Sequence, residues 1–217
     1  MYTKLSKILS AAVLCATSVS MATAASIAVP NFSFEAPAIT NQDGFESVAQ
    51  DWVQTFGFTG NTGIQLGTVT TPDFTGFIGS QVAFANSGSS LGTSADLHTI
   101  ALGDTYTLTV AAAGRTDFAS TGFRIQLTNS AFTPLFTSFI TNPADDYAFN
   151  DYTISYTIAA GDPFIGQGLR INLINENESN QTSFDNIRLT VDNIPEPSTS
   201  LVLISGLALL GLRRRRA

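Results

Sequence analysis

Short segments in which apolar and polar residues alternate recur along the chain, and no long stretch between residues 26 and 193 has a helical period. The clearest segments are 105–110, 152–158, 169–173 and 187–191, and the weaker ones are 27–34, 52–58, 64–69, 81–85, 98–102, 123–127 and 135–140. Because successive side chains of a strand point to opposite faces, each segment offers one face to a core and one to water or a partner. About ten short strands separated by Gly, Asn, Asp and Pro predict an all-β protein, a two-sheet antiparallel β-sandwich of the jelly-roll type.

The predicted sandwich domain, residues 25–193, is acidic and contains neither lysine nor cysteine. Its four arginines stand against sixteen acidic residues, which gives a net charge of about −12. Such a surface repels nucleic acid and anionic lipid and attracts divalent cations. Because few ion pairs and no disulfides are available, apolar packing has to hold the fold, and the sixteen phenylalanines supply much of the buried area.

Residues 1–24 have the features of a secretory signal peptide. Lys4 and Lys7 precede a mostly apolar stretch at residues 8–19, and the small residues at 22–24 form a cleavage site. The only cysteine of the chain, Cys15, lies inside this segment. We therefore expect the chain to enter the general secretion machinery, with a signal helix that is removed after residue 24.

The segment 194–217 combines a short motif, an apolar stretch and a basic cluster. The motif is Pro195, Glu196 and Pro197, and the cluster is Arg213, Arg214, Arg215 and Arg216. The apolar stretch between them, residues 198–212, predicts a short transmembrane helix, although it falls below the roughly 20 residues that span a bilayer. Arginines resist transfer through hydrocarbon, so they act as a stop-transfer cluster on the cytoplasmic side.

This tail resembles the PEP-CTERM sorting signal. The resemblance implies that an exosortase in the inner membrane recognises Pro195, Glu196 and Pro197. It also implies a Gram-negative bacterium that makes exopolysaccharide, an intermediate held in the inner membrane, and delivery to the cell surface or the extracellular matrix.

Two further motifs resemble the terminal strands of galactose-binding-like jelly rolls, the group that contains many carbohydrate-binding modules. They are residues 30–37, which include Asn31 and Glu35, and residues 184–191, which include Asp185. The resemblance implies that the two motifs lie close together in one sheet, and that Glu35 and Asp185 help to hold a structural Ca²⁺. Calcium needs six to eight oxygen ligands, which fits carboxylates. In the alternative interpretation, Glu35 accepts backbone hydrogen bonds and Asp185 caps a turn.

Aromatic side chains that could stack on a sugar are Trp52 and Tyr147. Trp52 is the only tryptophan and is expected in the core after the first loop. Tyr147 follows two aspartates in a polar loop, which predicts an exposed ring. Either ring in an exposed position would indicate a sugar-binding surface.

Catalytic signatures are weak in this sequence. His98 is the only histidine, and Ser90 lies in a Gly-x-Ser-x-Gly pattern that has no helix signal behind it. The acidic pairs Asp145-Asp146 and Glu176/Glu178 are expected to be solvated loop charges rather than the two carboxylates of a glycosidase. We therefore predict a non-enzymatic structural or adhesive protein associated with exopolysaccharide. The alternatives are a carbohydrate-binding module with a defined sugar site and, less favoured, a secreted glycoside hydrolase.

Overall fold

The computed structural model describes residues 24–193 except 42, 48, 57–61, 71–72, 87, 116–121, 141–146 and 177–180. Within these residues the chain forms thirteen strands and two antiparallel sheets, which confirms the predicted all-β sandwich. The two flanking helices predicted at residues 1–24 and 198–212, and the sorting motif with its arginines, lie outside the described residues. In the described part of the chain, no helix has the length and apolarity needed to cross a membrane.

Sheet A has the strand order β11-β8-β13-β5-β4-β2, and β1 also pairs with β13. Its strands are β1 (Ala25–Ile27), β2 (Phe45–Glu46), β4 (Thr62–Leu66), β5 (Gln81–Asn86), β8 (Asp104–Ala113), β11 (Asn150–Thr157) and β13 (Gln181–Asn193). The long central strands β8 and β13 carry the alternation that the sequence shows most clearly. Since β1 pairs with residues 189–191 of β13, the two ends of the domain meet in one sheet.

Sheet B has the order β10-β9-β12-β6-β3, and β7 also pairs with β12. Its strands are β3 (Trp52–Phe56), β6 (Ser90–Thr93), β7 (His98–Thr99), β9 (Phe123–Asn129), β10 (Pro134–Ile140) and β12 (Gly168–Asn175). Polar residues alternate with apolar ones on β9 and β12, so sheet B has one apolar face and one polar face.

The main core lies between the two sheets and is built from the inward residues of each alternating strand. Its members include Tyr106, Leu108 and Val110 of β8, Ile125 and Leu127 of β9, Leu169, Ile171 and Leu173 of β12, and Phe184, Ile187 and Leu189 of β13. Because these residues occupy the inner faces, residues that alternate with them lie on the outer faces of the sandwich. The features of functional interest lie on the outer face of sheet A and on the outer face of sheet B.

Candidate active site

Asp185 lies on the outer face of sheet A, where a β-bulge interrupts strand β13. The pairing of β13 with β8 shifts between Asp185 and Arg188, and Asn186 has a positive φ of 48°. The bulge lets Phe184 and Ile187 both enter the main core, three residues apart, while Asp185 faces outward opposite Ala111. The closing motif of the chain therefore places one carboxyl on the far side of the sheet from the core.

Four aromatic side chains cover this part of sheet A. We call Phe74, Phe77, Tyr147 and Phe149 the aromatic cover. Phe74 packs edge-on against Tyr147 and against Phe149, each at 5.5 Å between ring centroids. Together with Val82 and Ala113 of the sheet they form a second hydrophobic cluster.

Two backbone hydrogen bonds hold the two halves of the aromatic cover together. The Thr75 amide donates to the Tyr147 carbonyl, and the Phe149 amide donates to the Thr75 carbonyl, both at 2.9 Å. The backbone segments that carry the aromatic cover therefore form a short parallel β-bridge between Thr75 and Ala148.

The Asp185 carboxyl is fully buried beneath this layer. Its Oδ2 accepts a hydrogen bond from the Ile78 amide at 2.5 Å. Its Oδ1 has no hydrogen-bond partner among the described residues. Burial raises the pKa of Asp185 to about 7, the charge of Glu35 adds to that rise, and the Ile78 and Asn186 amides oppose it. Asp185 can therefore hold a proton near neutral pH and release it.

Glu35 sits beside Asp185 but has a different environment. Its carboxylate accepts hydrogen bonds from the Ser80 amide, the Ser80 hydroxyl and the Gln81 amide, each at 2.9 Å. Gly79, which precedes these donors, has a φ of +80°, and a Cβ on it would lie 2.3 Å from Glu35 Oε1. The backbone of residues 78–81 therefore donates hydrogen bonds to both carboxylates. Position 79 requires a glycine, because the chain has a positive φ there and passes close to Glu35.

The structure brings Glu35 and Asp185 together, as the jelly-roll resemblance implies. The donor set for calcium is only partly present. Asp185 Oδ1 is unused, whereas the Glu35 oxygens are already engaged, and the Asn31 carboxamide bonds to the backbone of residues 36 and 50. Among the described residues, no group of three or more acidic, His or Cys side chains is positioned to hold a metal. The calcium site stays a prediction.

A polar group next to Asp185 was not anticipated from the sequence. Ser183 lies two residues before Asp185 on the same face, and its hydroxyl accepts a hydrogen bond from the side-chain Nε2 of Gln65 at 3.2 Å. Gln181 lies one step further and accepts from Arg115 at 2.7 Å. The alternation of β13 already implied that residues 181, 183 and 185 share a face, and this was the available signal. The outer face of sheet A is therefore apolar beside the aromatic cover and polar around Gln181 and Ser183.

The two aromatic residues predicted as sugar contacts are both buried. Trp52 is 4% exposed, packs 5.0 Å from the Phe34 ring, and donates from Nε1 to the Pro30 carbonyl. Tyr147 is 1% exposed, contrary to the expectation of an exposed ring, because it packs against Phe74 within the aromatic cover. Neither ring presents a face to a sugar.

The remaining candidates for catalysis are dispersed. His98 Nδ1 is 2.9 Å from the Tyr106 hydroxyl, and the Ser90 hydroxyl is 2.5 Å from that of Thr55, so each of the two residues hydrogen-bonds to a different partner. Glu176 forms an ion pair with Arg124. Asp145, Asp146 and Glu178 lie outside the described residues. Among the described side chains, Asp185 is therefore the candidate for proton transfer, because it is a buried carboxyl with a pKa of about 7.

Residues 25–190 match the family described as HpiC1 cyclase. This match overturns the prediction that the chain is not an enzyme. A crystal structure of a cyclase from Fischerella sp. TAU is similar in fold, with 22% identity, a TM-score of 0.66, and coverage of 79% of this chain and 98% of that one. So is a Stig cyclase from Fischerella sp. TAU in complex with (3Z)-3-(1-methyl-2-pyrrolidinylidene)-3H-indole, with 22% identity, a TM-score of 0.63, and coverage of 79% and 99%.

Carbohydrate-binding modules are also among the similar structures. TmCBM61 in complex with β-1,4-galactotriose has 14% identity and a TM-score of 0.46, and the alignment covers 75% of this chain and 97% of that module. No curated protein matches the chain.

Residues 193–217 match the PEP-CTERM protein-sorting motif, which confirms that resemblance. Pro195, Glu196 and Pro197 and the four terminal arginines fall within the match. The chain is accordingly an exosortase-sorted protein, exported to the cell surface of a Gram-negative bacterium. Exosortase is its sorting partner.

Proposed function

Because the chain belongs to the HpiC1-like family of cyclases, we propose that it is an exported cyclase in which Asp185 transfers the proton that starts ring closure. One observation carries the proposal: Asp185 is fully buried, keeps Oδ1 without a partner among the described residues, and has a pKa raised to about 7. General acids work best when their pKa lies near the working pH.

The proposed reaction is an isomerisation and needs no co-reactant. The Asp185 carboxylic acid donates its proton from Oδ1 to one carbon of a double bond, which leaves a cation on the neighbouring carbon. A second double bond of the same molecule supplies an electron pair to that cation, and a carbon–carbon bond closes the ring. The Asp185 carboxylate then takes a proton from the cyclic cation, which restores the acid and forms a new double bond.

The aromatic cover suits such a cationic intermediate. Ring faces attract positive charge, and they do so most strongly where water is excluded. Phe74, Tyr147 and Phe149 present ring edges and faces within one cluster above the sheet. The indole compound held by the similar Stig cyclase supports an apolar, aromatic substrate for this chain as well.

Substrate access requires the covering segment to move. Asp185 is fully buried, and the Ile78 amide of the covering segment donates a hydrogen bond to its Oδ2 at 2.5 Å. Gly76 and Gly79, both with a φ of +80°, bracket Phe77 and Ile78. We propose that these glycines act as hinges, so that the segment lifts away from Asp185 and Phe77 leaves the cover.

Calcium is a second proposal for the same carboxyl, supported by the unpartnered Oδ1 and by the proximity of Glu35. Proton donation needs the neutral acid, whereas a cation is held by the carboxylate. The two uses therefore exclude each other at any moment, and calcium competes best above pH 7. Glu35 and Asp185 would hold the ion, with backbone carbonyls as further ligands.

We also propose that the sorted chain passes through an inner-membrane intermediate and associates with exopolysaccharide at the surface. The tail match supports this route, and the acidic, lysine-free domain suits a hydrated matrix. Retention there would keep a cyclase close to substrates outside the cell.

Incubation of the purified chain with a panel of indole-bearing alkenes tests the proposal. We expect a product of unchanged mass with one new ring, and loss of at least about a hundredfold in turnover for Asp185→Asn, the scale of general acid catalysis. Asp151→Asn is the matched control, because Asp151 is an exposed residue paired with Arg188 on the same sheet. Turnover that Asp185→Asn leaves unchanged contradicts the proposal.

A further inference from the structure

A groove of about 410 Å³ crosses the outer face of sheet B, on the opposite side of the sandwich from Asp185. It lies over strands β3, β6, β12 and β9, and its walls include Phe56, Phe132 and Ile174. The volume falls in the range of small-ligand sites. The ring closure proposed at Asp185 does not involve the residues of this groove.

The floor of the groove is a directed chain of hydrogen bonds between neutral side chains. The Thr55 hydroxyl donates to Asn172 Oδ1 at 2.8 Å, so it must accept the bond from the Ser90 hydroxyl at 2.5 Å. Asn172 Nδ2 donates to Gln126 Oε1 at 3.1 Å, and Gln126 Nε2 donates to Thr137 at 3.2 Å. Five strands thus contribute one polar side chain each to a single row.

This row fixes the side chains while leaving capacity for a ligand. A carboxamide has two N–H donors and two acceptor lone pairs, and the row uses one donor and one lone pair on each of Asn172 and Gln126. One donor and one lone pair remain on each side chain. Asn172 and Gln126 are 5% and 7% exposed, so their orientation is held by the surrounding sheet. Rigid amides and hydroxyls that can both donate and accept are complementary to sugar hydroxyls.

Two phenylalanines stand above the row. Phe56 is 71% exposed, the most exposed of the large apolar side chains among the described residues. Phe132 lies across Gly92, where a Cβ would come within 2.4 Å of its ring, so the missing side chain makes room for it. An exposed ring beside a polar row provides an apolar face for the C–H surface of a pyranose and hydrogen bonds for its edge.

The charges of the groove favour a neutral ligand. Among the described residues of its lining, Glu176 is the one acidic residue, and it forms an ion pair with Arg124 at 2.5 Å. The net charge of the domain, about −12, repels anionic polymers.

We infer that this groove binds a neutral polysaccharide chain, with Phe56 stacking on a sugar ring and Asn172 and Gln126 holding its hydroxyls. The inference rests on the proposed association with exopolysaccharide and gives that association a site. It assigns the two faces of one sandwich to different tasks, binding on sheet B and chemistry on sheet A.

Affinity electrophoresis of the full-length chain in detergent tests the inference, with a β-glucan, a xylan, a galactan and a mannan as neutral probes and alginate as the anionic one. We expect at least one neutral polymer to retard the wild type, and Phe56→Ala to weaken that binding about tenfold or more, the scale of one buried aromatic ring. Phe56→Trp should restore it. Phe45→Ala is the matched control, since Phe45 is 52% exposed on edge strand β2 of the other sheet.

The possible results distinguish binding in the groove from the association with exopolysaccharide in general. Equal retardation of wild type and Phe56→Ala by a neutral polymer overturns the groove but leaves the association standing. Retardation by none of the neutral polymers, or by alginate alone, overturns both. Cyclase turnover should be the same in Phe56→Ala and wild type, so neither result depends on the chemistry at Asp185.

Discussion

Replacing Asp185 by asparagine should change the pH dependence of stability in a direction that only a buried, protonated carboxyl predicts. The pKa of Asp185 is about 7 in the folded chain and 3.8 in the unfolded chain. Between these values Asp185 binds more protons in the folded state than in the unfolded state, so its contribution to stability falls as pH rises from about 4 to 7. The full penalty, reached above pH 7, is roughly 4 kcal/mol.

The Asp185→Asn variant has no charge to bury at this position and escapes the penalty. Its side-chain amide keeps an oxygen for the Ile78 N–H but places N–H donors where Oδ1 has no partner among the described residues, which costs about 1–3 kcal/mol. We therefore expect Asp185→Asn to be equal to or less stable than wild type at pH 4, and more stable by about 1–3 kcal/mol at pH 8. For a domain of this size, that gain raises Tm by roughly 2–10 °C.

Thermal unfolding at pH 4, 6 and 8 in the presence of a calcium chelator measures this difference. Asp151→Asn is the control, and its difference from wild type should stay within about 0.5 kcal/mol at each pH, because the residue is exposed. A difference between Asp185→Asn and wild type that does not change with pH refutes the reasoning. So does a wild type that gains stability relative to Asp185→Asn as pH rises, since that is the behaviour of a carboxylate with a depressed pKa.

Two further perturbations test the surroundings of the site. Gly79→Ala should lower the free energy of unfolding by about 1–3 kcal/mol in a urea titration, because the residue has a φ of +80° and its Cβ would meet the Glu35 carboxylate; Gly88→Ala, also at positive φ but in open space, should cost less. Calcium added at pH 8 should raise the Tm of wild type and not that of Asp185→Asn, and an equal rise in both would remove Asp185 from any calcium site.

The sandwich could be predicted because its signal is local. Alternation on β8, β11, β12 and β13 is visible within each segment, and hydrophobic burial fixes which face turns inward. The proximity of Glu35 and Asp185 was likewise readable from the terminal motifs. These features depend on residues close in sequence or on a pairing that the family resemblance supplied.

The chemistry of the site could not be predicted in the same way. The raised pKa of Asp185 depends on tertiary structure. The bulge turns the residue outward, and the segment 73–80 lies over it, held in place by the backbone bonds of Thr75 to Tyr147 and Phe149. The polar neighbours of Tyr147 predicted an exposed ring, whereas the ring packs against Phe74 and is 1% exposed. Burial of one carboxyl is a tertiary property, so the sequence alone favoured a metal ligand and a non-enzymatic protein.

The most direct test of the central claim is the ionisation of Asp185 itself. Carbon-13 NMR of the aspartate carboxyl groups, titrated from pH 3 to 9 in the presence of a chelator, should show one resonance with a midpoint near 7, and Asp185→Asn should remove it. A titration in which the resonance lost in Asp185→Asn has a midpoint near or below 4 would contradict the account, because the residue would then be a carboxylate at neutral pH and could not donate the proton that closes the ring.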